Sequence, residues 1–236
     1  MAESVVLGLS QNEVAITANF DGSRLLIFGA VRRDAPIPDV SQMEVIVTVT
    51  GPATPVDVYR KERRFGIWVN ADRVRLPRAP SFYAVASSGP IEDILSATEN
   101  LRHRITVDRV VRTVGAREAV EDVTSFTDAL VRIRSRDDLY QQAVNGVAVD
   151  EQTLFRTTID LPANLVEGDY STRIFLLRDK AVVDVHETSI NVRKVGLERF
   201  LFTLSRDQPL VYGLMSLVIA IAAGWLASAA FRAFQR

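Results

Sequence analysis

From Pro209 to Phe231 the chain reads PLVYGLMSLVIAIAAGWLASAAF, without a single Asp, Glu, Lys, Arg or His. A helix rises about 1.5 Å per residue, so this segment spans roughly 35 Å, enough to cross a bilayer core of about 30 Å. Charge stops at Arg206 and Asp207 on one side and resumes at Arg232 and Arg236 on the other. Tyr212 and Trp225 fall toward the two ends, where amphipathic rings favour the headgroup region. A globular core helix of this length would carry a polar face. The stretch predicts a transmembrane helix over 209–231, with a cytoplasmic tail at 232–236. Ahead of it, 197–208 reads as a juxtamembrane segment, of which Leu197 to Leu204 is short and amphipathic.

The remainder is long enough to bury a sizeable core, as one large domain or two small ones. The formal net charge is −1 and cysteine is absent. Near-neutrality offers no concentrated basic face, so nucleic acid is not an expected partner. The missing cysteines exclude disulfides, thiol catalysis and cysteine-ligated metals. Met1-Ala2-Glu3-Ser4 has no basic n-region before Val5-Val6-Leu7, yet Ala-Glu-Ser resembles the start of a chain whose signal peptide has been cut away. Arg232 and Arg236 favour a cytoplasmic C-terminus, although Arg193, Lys194, Arg199 and Arg206 flank the other end. The expected arrangement has the bulk of the chain, 1–196, outside the cytoplasm.

From Val5 to about Ser88 the pattern is β. Val14 to Thr17 and Leu25 to Val31 are strands joined across Asn19 to Ser23, where Asp21-Gly22 is a strong turn pair. Asp34 to Asp39 holds two prolines and reads as a loop. Glu44 to Thr50 is β-branched almost throughout, and further strands are expected at Val56 to Arg60, Phe65 to Asn70 and Phe82 to Ala86. Then the period lengthens. Gly89-Pro90-Ile91-Glu92-Asp93 opens a helix through Leu101, with acids in its first turn. A second helix begins near Arg117, with Val120, Val123, Phe126, Leu130 and Ile133 on one face. It ends between Asp137 and Gln142. β-Patterning returns at Leu154 to Leu161, Tyr170 to Arg178 and Ala181 to Val192. The whole predicts a mainly β fold: an immunoglobulin-like antiparallel sandwich with a two-helix insertion over about 89–142, plus one C-terminal transmembrane helix. Two separate β domains remain an alternative.

Three constellations carry candidate chemistry. In the anchor, Ser216, Ala220, Gly224 and Ser228 recur every four residues, a spacing that keeps small side chains near one helix face and lets another backbone approach closely. Leu217, Ile221 and Leu226 supply bulk beside them. Alanine-rich spans also produce such ridges by chance. Second, Arg60-Lys61-Glu62-Arg63-Arg64 precedes Phe65-Gly66-Ile67-Trp68-Val69-Asn70. Four cations at a strand connection, with Trp68 on the face of Arg64, could hold an anion, since guanidinium forks match oxyanion geometry. The same patch could face lipid headgroups, a protein or only water. Third, Pro80 to Pro90 runs a strand into a helix N-terminus, but Glu92 and Asp93 already fill the place an anion would take, so capping is the simpler account.

Little points to catalysis. The two histidines, His103 and His186, form no HExxH, and no P-loop, nucleophile elbow or dinucleotide fingerprint occurs. No enzyme, metal or cofactor is expected, although a Ser/His/Asp set assembled by the fold would leave no sequence signature.

Several stretches resemble the Alph_Pro_TM family of bacterial transmembrane proteins. They are Ala18 to Gly22 with Phe28-Gly29-Ala30, Arg60 to Arg63 with Gly66 to Asn70, and Phe82 to Pro90. Leu161-Pro162 with Glu167 to Tyr170 and the single C-terminal span complete the pattern. The resemblance implies a secreted-then-anchored protein of the bacterial inner membrane, encoded beside exporters of the TauE/SafE type for sulfite or organosulfonates. It thus implies an accessory subunit docked on a multi-pass transporter. The alternative is an anchored periplasmic module that binds or senses an anion through Arg60, Lys61, Arg63, Arg64 and Trp68.

Overall fold

The clearest alternation in the sequence, Leu154–Leu161, is a strand in which Phe155, Thr157, Ile159 and Leu161 are buried and their neighbours exposed. It is one of many in the computed structural model, which describes residues 3–17, 20–33, 42–111, 123–195, 201 and 204–234. The chain runs β1 (Glu3–Leu9), β2 (Glu13–Ile16), β3 (Ser23–Arg33), β4 (Glu44–Thr50), β5 (Ala53–Arg64), β6 (Ile67–Pro80) and β7 (Tyr83–Ser87). Four helices follow: α1 (Ile91–Ile94), α2 (Ala97–His103), α3 (Val107–Val110) and α4 (Val123–Arg136). Then come β8 (Tyr140–Ala143), β9 (Val147–Asp150), β10 (Leu154–Leu161), β11 (Gly168–Arg178), β12 (Ala181–Lys194) and the C-terminal helix α5 (Pro209–Phe234).

Two compact units result, Met1–Val14 with Phe20–Arg193, and Ala15–Asn19 with Lys194–Arg236. One sheet has the order β1-β3-β10-β9 and a larger one the order β2-β12-β11-β4-β7-β8, while β5 and β6 pair as a ribbon of their own. β4 and β7 are buried along almost their whole length, as strands covered on both faces must be. The covering layers differ. Thr157 on β10 donates its hydroxyl to Gly146 O at 2.8 Å, and a Cβ on Gly146 would touch Ala86, which places the smaller sheet on one face. On the other face Tyr83 donates its hydroxyl to Ile105 O, Arg173 reaches His103 O at 2.9 Å, and the His103 ring meets Phe175 edge-on at 5.6 Å. The core therefore lies in two layers, sheet on sheet and helices on sheet. In the second unit the Val195 N–H donates to Ile16 O at 2.9 Å, and α5 follows.

The mainly β class, with helices between strands and a C-terminal apolar helix, agrees with expectation. The immunoglobulin-like detail does not follow from these sheets, because β8 lies parallel to β7. Strands β2 and β3 are not partners across Asp21-Gly22: β3 pairs with β1 and β10, and β2 belongs to the other sheet beside β12. The turn carries the chain between sheets. Gly29 shows how closely β1, β3 and β10 meet, since a Cβ there would lie 2.6 Å from both Val6 O and the Phe155 ring.

The helix expected from Ile91 to Leu101 is two. Leu95 adopts extended backbone and is buried, and the Ser96 N–H donates to Lys180 O at 3.0 Å. Ser96 then caps α2 by accepting from the Glu99 N–H at 3.3 Å. Tertiary bonding to the β11–β12 turn overrides the helical period. In α4, Phe126 and Leu130 are buried as its pattern predicts, whereas Ile133 is exposed. The Asp34 to Asp39 loop, the start of the second helix near Arg117 and most of Leu197 to Leu204 lie outside the described residues.

Candidate functional site

The basic stretch lies on the β5–β6 ribbon. At its base Val58, Val74, Leu76 and Ala79 are buried, but from Lys61 to Asn70 every residue except Val69 is exposed. The turn is Phe65-Gly66, with φ of 50° and 87°. Positive φ at both central residues is what a two-residue hairpin of the I′ type requires. Glycine adopts it freely; Phe65 does so at a cost, and its ring is fully exposed. The cations are thus not gathered at a loop but strung along a strand, with the connection confined to two residues.

Register decides which of them meet. Arg63 stands opposite Trp68, and Arg64 opposite Ile67. Directly opposed residues share a face of an antiparallel pair, so Trp68 shares its face with Arg63 and not with Arg64. The expectation failed because the two-residue turn resets the alternation. Arg64 pairs with Glu62 at 3.1 Å, and the Arg63 Nε donates weakly to Gly66 O at 3.5 Å. Arg60 leaves the group altogether. A bulge between Arg60 and Lys61 shifts the register, and the Arg60 guanidinium lies 4.7 Å over the Phe126 ring while donating to Ser125 Oγ at 2.7 Å. Arg60 and Lys61 line a cleft of ≈390 Å³ against α4, with Phe126 and Ala129 on its far wall. Nearer the base, Asp57 accepts from Arg73 at 2.8 Å, and that bond raises the guanidinium pKa above its ordinary value. Lys61, Arg63 and Trp68 therefore remain together on the distal ribbon, beside Phe65 and Ile67, which are exposed and are not candidates by sequence. Their signal was the Phe-Gly pair, a turn between two β-like runs.

The anchor residues lie on α5. Ser216, Ala220, Gly224 and Ser228 are all exposed, and a Cβ on Gly224 would meet nothing within 4 Å. Four-residue steps advance about 40° around a helix each time, so the ridge winds slowly along one side. The Ser216 hydroxyl donates to Tyr212 O at 2.9 Å, within its own helix, which leaves the ridge smooth. Leu217, Ile221 and Leu226 stand exposed around it. Over Pro209–Ser228 the mean hydropathy is 2.1, and the most apolar window is 0 % buried. An apolar helix so bare needs lipid or protein around it.

Of the two histidines, His103 ends α2 with Nε2 at 3.3 Å from Glu99 Oε2, and His186 sits in β12 opposite Ile174. Among the described residues no group of three or more His, Asp or Glu converges as a metal site would.

The family described as "Putative transmembrane protein (Alph_Pro_TM)" matches residues 4–233. No curated protein matches the chain.

Proposed function

We propose that this chain, which belongs to the Alph_Pro_TM family of transmembrane proteins, is a non-enzymatic single-span accessory subunit that docks in the bilayer on a multi-pass transporter. The observation that carries the reading is the anchor itself: an exposed apolar helix with a four-residue ridge of small side chains. Lipid tails are as apolar as leucine, so helices associate in a bilayer through close packing, and small residues at four-residue spacing permit it. Because Ser216 is satisfied by its own backbone, the attraction would be van der Waals contact along the groove rather than hydrogen bonding.

The partner class follows from the resemblance, which implies a TauE/SafE-type exporter of sulfite or organosulfonate anions. In this reading the β-rich unit is periplasmic, the bacterial inner membrane holds α5, and the C-terminus is cytoplasmic. The head then acts by position, at the exit of the carrier.

The test is co-purification in mild detergent from native membranes. Wild-type chain should bring down a polytopic protein at a fixed ratio. Gly224→Leu should lower that recovery about tenfold or more while leaving the chain in the membrane fraction, since a bulky side chain in the groove forces the helices apart. Recovery of the wild-type chain always alone contradicts the proposal.

A further inference from the structure

Apart from the ribbon, the first unit brings together arginines that are far apart in sequence. Arg78 from β6, Arg102 and Arg104 from the end of α2, and Arg173 from β11 line one cleft of ≈490 Å³. Small-molecule sites commonly enclose about 300–1,000 Å³. Like charges gathered on one wall repel, so native structures normally balance them with carboxylates. Here the balance is incomplete. Glu99 takes Arg102, at 2.8 Å, and Glu187 accepts from the Ser171 hydroxyl at 2.7 Å. Among the described residues, Arg78, Arg104 and Arg173 have no carboxylate within ion-pair distance.

The three are held differently. Arg173 is fixed: it donates to His103 O at 2.9 Å and stacks 5.1 Å over the Phe175 ring. A guanidinium has five N–H donors, so others remain for a ligand. Arg104 is the C-cap of α2 with φ of 51°. Glycine is the usual residue in that conformation, and any side chain there carries a modest cost. The Arg104 side chain lines the cleft. Arg78 comes from the ribbon base, exposed and unpaired among the described residues.

We propose that this cleft binds a free small oxyanion, inorganic phosphate or sulfate or a small molecule bearing such a group, with Arg173 as the fixed donor and Arg78 and Arg104 closing on the ligand. Paired guanidinium forks match two oxygens of a tetrahedral oxyanion at once. The inference does not rest on the docking reading, since every residue in it belongs to the β-rich unit.

The experiment titrates inorganic phosphate and sulfate, at constant ionic strength set with chloride, into the full chain in detergent, by calorimetry and by thermal shift. Saturable binding is expected. Arg78→Ala and Arg104→Ala, both exposed positions, should each weaken it about tenfold, as loss of a charge-assisted hydrogen bond predicts. Arg173→Lys should weaken it while keeping the fold, whereas Arg63→Ala on the ribbon should leave it unchanged. No saturable binding of either ion, or equal binding by the Arg78→Ala/Arg104→Ala double variant, overturns the proposal. So does saturable binding of phosphatidylglycerol bicelles at a site that neither free ion fills, which would make the occupant a lipid headgroup. A partner-free wild-type chain in the co-purification experiment would leave these outcomes unaffected.

Discussion

Two β elements of this molecule can be set side by side. Strands β4, β7 and β11 form the centre of the larger sheet, and Ile46, Val47, Phe175 and Leu176 are 0 % exposed. The ribbon β5–β6 is longer than β4 or β7, yet beyond its base it buries almost nothing. A two-stranded hairpin alone is marginal in water, so the ribbon persists because its base is anchored and its turn is tight. Stability thus resides in the buried centre of the larger sheet, while the ribbon leaves side chains free for contact. Arg60 marks the border between the two regimes, since it is the cation of the basic stretch that the fold draws in against α4.

Truncation separates the two regimes most sharply. Phe175→Ala should cost about 3–5 kcal/mol, as for other fully buried aromatics, while Ile67→Ala on the distal ribbon should stay within about 0.5 kcal/mol. Denaturant midpoints of the full chain in detergent read both, and similar losses would erase the distinction.

Alkaline pH offers a second test of the centre. Burial raises the Tyr83 pKa above its ordinary value, pushes Tyr140 up to about 12, and raises Tyr170. Unfolded tyrosines ionise near pH 10, so the folded state holds its protons more tightly. The corresponding stability is whole below about pH 10 and is lost as pH rises toward 12, on the order of 1 kcal/mol per pH unit for each tyrosine. Tyr140 Oη donates to Pro80 O at 2.8 Å. Tyr140→Phe should therefore flatten the slope between pH 10 and 12 while lowering stability at neutral pH; an unchanged slope would contradict this.

Within the basic stretch, Arg60→Ala should cost about 1 kcal/mol, through the Ser125 bond and the Phe126 contact. Arg64→Ala should be close to neutral, because its partner Glu62 is an exposed neighbour. Equal effects would mean that the stretch acts as one group. One change should be a gain: Phe65→Asn should stabilise by a few tenths to about 1 kcal/mol, since asparagine tolerates positive φ better. No gain would show that the exposed ring is stabilised by something in the isolated chain.

Local features are the ones legible in the sequence. The span, the alternation of Leu154–Leu161 and the unbroken β-branched run at Glu44–Thr50 each state their environment in consecutive residues. The four-residue strands β8 and β9 do not; they are too short to show a period, and β8 is fixed by its parallel neighbour β7, which sets Tyr140 opposite Tyr83. The break at Leu95 depends on Lys180, and the arginine cleft on β6, α2 and β11 meeting. Conversely, Arg60 to Arg64 looked like one site because it is contiguous, and a bulge and a two-residue turn divided it.

The proposed partner and the position of the β-rich unit both depend on α5 being a docking helix. The most direct measurement is the ratio of polytopic protein recovered with wild-type chain to that recovered with Gly224→Leu, both extracted from membranes in mild detergent. A fixed stoichiometry for the first and a loss of about tenfold or more for the second is the predicted result. Equal recovery, or wild-type chain that always emerges alone, would contradict it.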